Sequence, residues 1–166
     1  MSTFVYTIIN TKLGKIGIAS TNKGICNITF LKNERTFITS LKKKYRGEFK
    51  NDDAHFRKII NDLNEYISGK RKELNWTLDI IEGTEFQRKV WTILRTIPYG
   101  EVRSYKWVAE ITGFKNAYRA VGNAVGKNPL PIVIPCHRVI RENGELGGFS
   151  GGIMLKKRLL NIEDFL

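Results

Sequence analysis

Phe56, Ile59, Ile60, Leu63 and Ile67 recur at helical spacing, so a single apolar stripe predicts a helix over residues 53–68. Upstream, three short β-prone runs cover Phe4 to Ile9, Lys15 to Ala19 and Gly24 to Phe30. Turn signals at Leu13-Gly14 and Asn22-Lys23-Gly24 separate them. A weaker helical pattern runs from Lys32 to Tyr45, and Trp76 to Ile80 reads as one more strand. These elements make a small α/β lobe over residues 1–82, with no catalytic constellation in it. His55, near a helix start, reads as a surface histidine.

A boundary falls around Ile81-Glu82-Gly83. Thr84 and Gln87 then have the spacing of a capping box, in which hydroxyl and carboxamide satisfy each other's backbone donors. The helix they open carries Val90, Ile93 and Leu94 and stops near Pro98 and Gly100. Ser104 is placed to cap a helix ending near Ile111, with Thr112-Gly113-Phe114 as a turn. Asn116 is placed to cap the next helix, Ala117 to about Lys127. Two short helices about a glycine turn have the form of a helix-turn-helix. The fold class expected is α/β (α+β), the lobe being followed over 83–166 by a mostly helical domain.

The second of those helices is unusual. It holds Ala117, Ala120, Gly122, Ala124 and Gly126 around Arg119, and each interior glycine costs about 1 kcal/mol relative to alanine. Such a helix is usually approached closely, by another helix or by a nucleic-acid backbone. Arg119 would present a rigid fork of donors there, with Tyr105 on the same surface.

Charge sharpens this picture. The formal net charge is +12, from 28 Lys and Arg against 16 Asp and Glu. Solubility or a high-temperature host would account for it, and so would a polyanionic partner. The basic residues are scattered rather than gathered on one amphipathic stretch, which disfavours a membrane surface. No apolar run approaches the ~18 residues of a membrane span, and no signal segment opens the chain. A cytoplasmic protein is expected. Two cysteines without a CxxC or paired-histidine pattern argue against zinc.

Chemistry concentrates at Pro135-Cys136-His137-Arg138-Val139. A thiol attacks as the thiolate, and neighbouring positive charge lowers its pKa. Ile132-Val133-Ile134 would set Cys136 at the end of a buried strand stiffened by Pro129, Pro131 and Pro135. Adjacent strand residues point to opposite faces, so thiol and His137 would need a water or a turn between them. A carboxylate would orient the histidine, and Glu163, Glu142 and Glu145 are all candidates. Beyond the Asn143-Gly144 turn, Gly147-Gly148-Phe149-Ser150-Gly151-Gly152 would form a pocket wall open to a flat ligand. Asn128-Pro129 would tie the preceding helix to the cysteine segment.

Together these motifs resemble the O6-alkylguanine-DNA alkyltransferases. The resemblance rests on Pro135 to Val139, Arg119-Ala120-Val121-Gly122, Gly151-Gly152, Phe86-Gln87, Val90-Trp91, Ile97 to Gly100 and Ser104-Tyr105. It is close over 83–166 and looser over the first half, which resembles a ribonuclease H-like lobe. It implies single, self-inactivating transfer of an alkyl group from guanine O6 in double-stranded DNA to Cys136, after the nucleotide flips out. His137 would act through a water, with Glu163 behind it. Asn128 would link recognition helix and active-site segment, and Tyr105 would press on the phosphate and donate a proton. Pro131, Val139, Phe149 and Ser150 would form the base pocket. Arg119 would fill the gap in the stack, and Ala120, Gly122 and Asn123 would face the minor groove. The expected state is a monomer with no cofactor and no metal, since the cysteine and histidine set of zinc-binding animal relatives is missing. Phe149 replaces a tyrosine common among relatives. A cysteine hydrolase, a redox thiol protein and a non-catalytic damage sensor are the rivals, and a sensor would lack the acceptor cysteine.

Overall fold

A computed structural model describes all of residues 1–166, which divide into two compact units, Met1–Ile81 and Glu82–Leu166. In the first, β1 (Ser2–Thr11), β2 (Gly14–Ser20) and β3 (Ile25–Leu31) form an antiparallel meander. The chain then crosses over through α1 (Glu34–Lys44) and adds β4 (Gly47–Asn51) parallel to β1, so the strand order is β3-β2-β1-β4. Asn33 caps α1 by accepting the Arg35 amide, and Lys42, Lys43 and Lys44 complement the negative end of its dipole. The sheet and α1 enclose Phe4, Ala19, Cys26, Phe37, Leu41 and Tyr45. Phe4 stacks on both Tyr45 and Phe49, at 5.4 and 4.9 Å between ring centroids.

The apolar stripe expected over 53–68 is present, but its first turn is a 3-10 helix, Ala54–Phe56, leading into α2 (Arg57–Ile67). His55 is exposed, and its ring bonds the Ser20 hydroxyl at 3.1 Å. The strand expected at Trp76 to Ile80 is reduced to one bridge between Ile25 and Leu78. Its hold comes instead from Trp76, whose indole N–H donates to the buried Asp62 carboxylate at 3.1 Å. Lys58 and Arg71 also clamp that carboxylate. Hydrogen bonds from Lys58 and Trp76 and the two positive charges outweigh burial and keep its pKa low.

The second unit opens with α3 (Glu85–Leu94), and both halves of its capping box form. A two-residue strand, β5 (Arg103–Ser104), pairs in parallel with β6 (Val139–Ile140). Ser104 caps α4 (Tyr105–Thr112) through the Trp107 amide, and Gly113 closes that helix at φ 86°. Helix α5 (Tyr118–Gly126) starts from Ala117 with no side-chain cap, so Asn116 does not take the role expected of it. Trp91 of α3 ties the bundle together by donating to the Ala124 carbonyl of α5 at 2.7 Å. The unit ends with α6 (Ile153–Ile162). No helix is long and apolar enough to cross a membrane.

Candidate active site

The segment before Cys136 is not the strand its apolar residues suggested. Prolines at 129, 131 and 135 remove three amide donors from a run of seven residues, so no ladder can form. Ile132 lies in the left-handed region at φ 76°, and only a bridge between Pro131 and Ile134 is extended. Pro135, at φ −80° and ψ 65°, centres an inverse γ-turn in which the Cys136 amide donates to the Ile134 carbonyl at 2.8 Å. Asn128 braces this loop at both ends. Its amide donates to the Ile134 carbonyl at 2.8 Å, and its oxygen accepts the Leu130 amide at 2.9 Å. The residue at the end of α5 is thereby joined to the one two places before the thiol.

Cys136, His137 and Arg138 form a tight 3-10 turn. The turn sends thiol and imidazole in different directions without a strand. His137 is fully buried, and its Nε2 lies 2.8 Å from Glu163 Oε1. Of the three carboxylates open from sequence, the structure brings Glu163 to the histidine. Glu145 pairs with Arg141 at the surface, and Glu142 is exposed. Arg138 grips Glu163 through Nε to Oε2 at 2.9 Å and Nη2 to Oε1 at 2.7 Å. Its Nη1 donates to the Ile97 carbonyl at 2.7 Å, and the Gly100 amide adds a bond to Glu163 Oε2. Burial alone would raise the Glu163 carboxyl, but the bonds from His137 and Arg138 outweigh it and hold the carboxyl well below its usual range. Burial keeps His137 neutral, with Glu163 opposing. The Nδ1 of His137 is buried without a hydrogen bond to protein.

The Cys136 thiol corrects the expectation of a lowered pKa. Burial pushes it up to about 11, with Asn128, the Lys156 charge and nearby amides opposing. The adjacent guanidinium cannot acidify it, because Glu163 already neutralises that charge.

Cys136 opens onto a cavity of about 580 Å³. Phe149 and Ser150 line it, with Gly147 and Gly148 of the same glycine-rich loop. Tyr105, Arg119, Gly122 and Gly126, which the sequence assigns to a closely approached surface around α5, border it as well, and Tyr118, Val125 and Arg141 join them with no signal in the sequence. Pro131 and Val139 are buried and do not reach the cavity wall. Ala120 and Asn123 are exposed on α5 outside it. Gly122 and Gly126 have nothing within 4 Å of an added Cβ, so helix packing does not explain them. Gly147 does face a close neighbour. Its φ is 72°, and an added Cβ would stand 3.1 Å from the Tyr105 hydroxyl. Burial and the nearby thiol raise the Tyr105 pKa, with Arg141 opposing.

Lys156 carries no motif in the sequence. This α6 residue is 0% exposed, and its ammonium donates to the carbonyls of Val139 at 2.6 Å, Gly148 at 3.3 Å and Leu146. Burial pulls its pKa down to about 8. Three acceptors match the three hydrogens of the charged form, which therefore prevails at neutral pH. A lysine one position along an amphipathic helix carries no signal of this in sequence.

One buried thiol, a His–Glu–Arg cluster behind it and a helix-turn-helix bordering its cavity define a cysteine-dependent transferase with a nucleic-acid-binding domain. Comparison with known proteins agrees over the whole chain. Residues 4–80 match the ribonuclease-like domain, and residues 85–165 the DNA binding domain, of 6-O-methylguanine DNA methyltransferase. The methylated-DNA–protein-cysteine methyltransferase of Methanosarcina barkeri is 39% identical over 159 residues, 96% of each chain. That of Mycobacterium tuberculosis is 40% identical over 158 residues, 95% of this chain and 91% of its own. The crystal structure of Mycobacterium tuberculosis OGT in complex with DNA aligns with a TM-score of 0.84 at 38% identity, covering 96% of this chain and 92% of that one. The chain belongs to the 6-O-methylguanine DNA methyltransferase family. Membership makes it an enzyme of DNA repair, of the methylated-DNA–protein-cysteine methyltransferase class.

Proposed function

We propose that this chain removes the alkyl group from O6-alkylguanine in double-stranded DNA by one irreversible transfer to Cys136. The observation that carries the reading is the position of Cys136: it lies at the wall of a cavity bordered by α5, with His137 and Glu163 bonded to each other directly behind it. A base within a duplex hides its O6 substituent, so the nucleotide must leave the stack, at a cost of a few kcal/mol. The exposed Arg119 fills the gap, while Ala120, Gly122 and Asn123 lie along the minor groove. The low profile of α5 at Gly122 and Gly126 supports close approach of a sugar-phosphate backbone.

In the transfer, a bond forms between Cys136 Sγ and the alkyl carbon as the bond from that carbon to guanine O6 breaks. The thiol proton passes through a water to His137. The carboxylate on Nε2 places the proton of the neutral ring there and stabilises the imidazolium that forms. The departing guanine gathers negative charge, and the Tyr105 hydroxyl at the cavity wall donates to it. Phe149 and Ser150 hold the base from the glycine-rich loop. Pro131 and Val139 support the pocket from beneath, and Asn128 keeps α5 in register with the thiol. The product is a thioether with no leaving thiolate, so each molecule acts once, as a monomer.

Intact mass after mixing with duplex DNA holding one O6-methylguanine tests the reading. One added methyl per molecule is expected, and none on Cys136→Ser. A folded wild type that binds this DNA without gaining mass would leave a damage sensor in its place.

A further inference from the structure

The two units share the positive charge unexpectedly. Residues 1–81 carry 15 Lys and Arg against 8 Asp and Glu, a net +7, whereas residues 82–166 carry 13 against 8, a net +5. The unit matching the DNA binding domain is the less basic of the two. In the first unit, much of the excess gathers at one end of the sheet. There a cleft of about 740 Å³ is bordered by Thr21, Asn22 and Lys23 of the β2–β3 turn, by Lys44 and Arg46 at the junction of α1 and β4, and by Asp79. Lys42 and Lys43 are exposed on α1 and Lys50 on β4, the two elements that Arg46 joins.

Complementing the helix dipole accounts for Lys42, Lys43 and Lys44. It does not account for Lys23, Arg46 and Lys50, which come from a turn, a junction and a strand. None of Lys23, Lys42, Lys43, Arg46 and Lys50 forms an ion pair. The one carboxylate at the cleft, Asp79, accepts the Thr21 hydroxyl, and three cations border the same cleft against its single negative charge. A concave, cationic, hydroxyl- and amide-lined surface suits a chain of phosphodiesters, which exchanges condensed counterions for fixed lysine and arginine.

We propose that the cleft around Lys23, Lys44 and Arg46 is a second contact for the DNA phosphate backbone, additional to the helix-turn-helix. The inference rests on DNA being the partner of the site around Cys136. It assigns the first unit a direct part in holding the polymer, beyond any support of its neighbour.

The test is the salt dependence of binding to an undamaged duplex, read by fluorescence anisotropy on the full chain. Each lost phosphate contact lowers the slope of log K against log salt by about 0.9, so K23Q/K44Q/R46Q should flatten it by roughly 2–3. The control is K12Q/K15Q/K32Q, the same charge removed at the opposite end of β1 and β2, about 30 Å away along the strands. Its slope should stay near that of the wild type. An unchanged slope in the cleft variant, or an equal fall in the control, overturns the proposal by reducing the effect to diffuse charge. Intact-mass transfer from O6-methylguanine duplex at saturating DNA is run on all three proteins. Transfer should persist in both variants, and its absence from the wild type would sink the repair reading without touching the slope comparison. Should the triple variant lose its thermal transition, K23Q/R46Q replaces it, with half to two-thirds of the slope change expected.

Discussion

Arg138 is the residue whose work differs most from what its neighbours in sequence imply. Beside a thiol it reads as an acidifying charge, yet its guanidinium is spent on Glu163 and the Ile97 carbonyl. It therefore orients the carboxylate that orients the histidine. Replacing it with methionine leaves Glu163 buried with one partner fewer, a loss of about 3–5 kcal/mol. Urea unfolding of Arg138→Met measures that cost directly. Gly126 has the opposite character, since nothing in the fold needs it to be small. Gly126→Leu projects into the cavity and is expected to slow transfer of a benzyl group at least tenfold more than transfer of methyl. Equal slowing of both would show that the position touches DNA and not the alkyl group.

Among the elements, α6 carries both Lys156 and, at its C-terminal cap, Glu163. One helix thus anchors the glycine-rich loop on one side and the histidine on the other. As pH rises through about 8, Lys156 loses its charge and one of its three donors, which releases part of the loop. The transfer rate should fall across that range for the wild type, whereas Lys156→Met should be slow throughout and lack the alkaline decline. Element boundaries explain what sequence could and could not deliver. The capping box at Thr84 and Gln87 and the Ser104 cap were readable because each is a local contact between neighbours. Thr84→Ala should accordingly cost about 1 kcal/mol in thermal unfolding. Strand β4 and the pair β5–β6 were not readable, being short and defined by partners roughly 35 to 50 residues away. Lys156 has no local signal either, because its acceptors lie 8 to 17 residues away in a loop and a strand. Cys136 and His137 stood out because their chemistry is adjacent in sequence. The choice of Glu163 over Glu142 and Glu145 from local spacing was not possible, since the contact spans 26 residues. The segment before Cys136 has the apolar pattern of a buried strand, but its three prolines withhold the amides that a strand needs.

Across the whole molecule, buried ionisable groups set the response to acid. The folded pKa of His137 lies below the ordinary 6.5, so below that value the unfolded chain takes up a proton that the native state refuses. Glu163 acts in the same sense. Its carboxyl is depressed from an ordinary 4.5, so the stability it contributes is full above that pH and is lost as pH falls toward the folded value. Thermal unfolding should therefore shift downward from about pH 6.5, and more steeply below about 4.5. Glu163→Gln should flatten the second part of that curve.

The raised thiol pKa has one further consequence, for a reagent that works a single time. At pH 7 a thiol of pKa about 11 is ionised in only about one molecule in ten thousand. Peroxides and small soluble electrophiles attack thiolates that are exposed, and Cys136 is neither exposed nor ionised at rest. Its nucleophile is made on demand, when a base in the cavity completes the proton path. Burial that looks like a handicap to reactivity is thus a form of shelf life: the molecule stays unoxidised and unmodified until it meets its lesion.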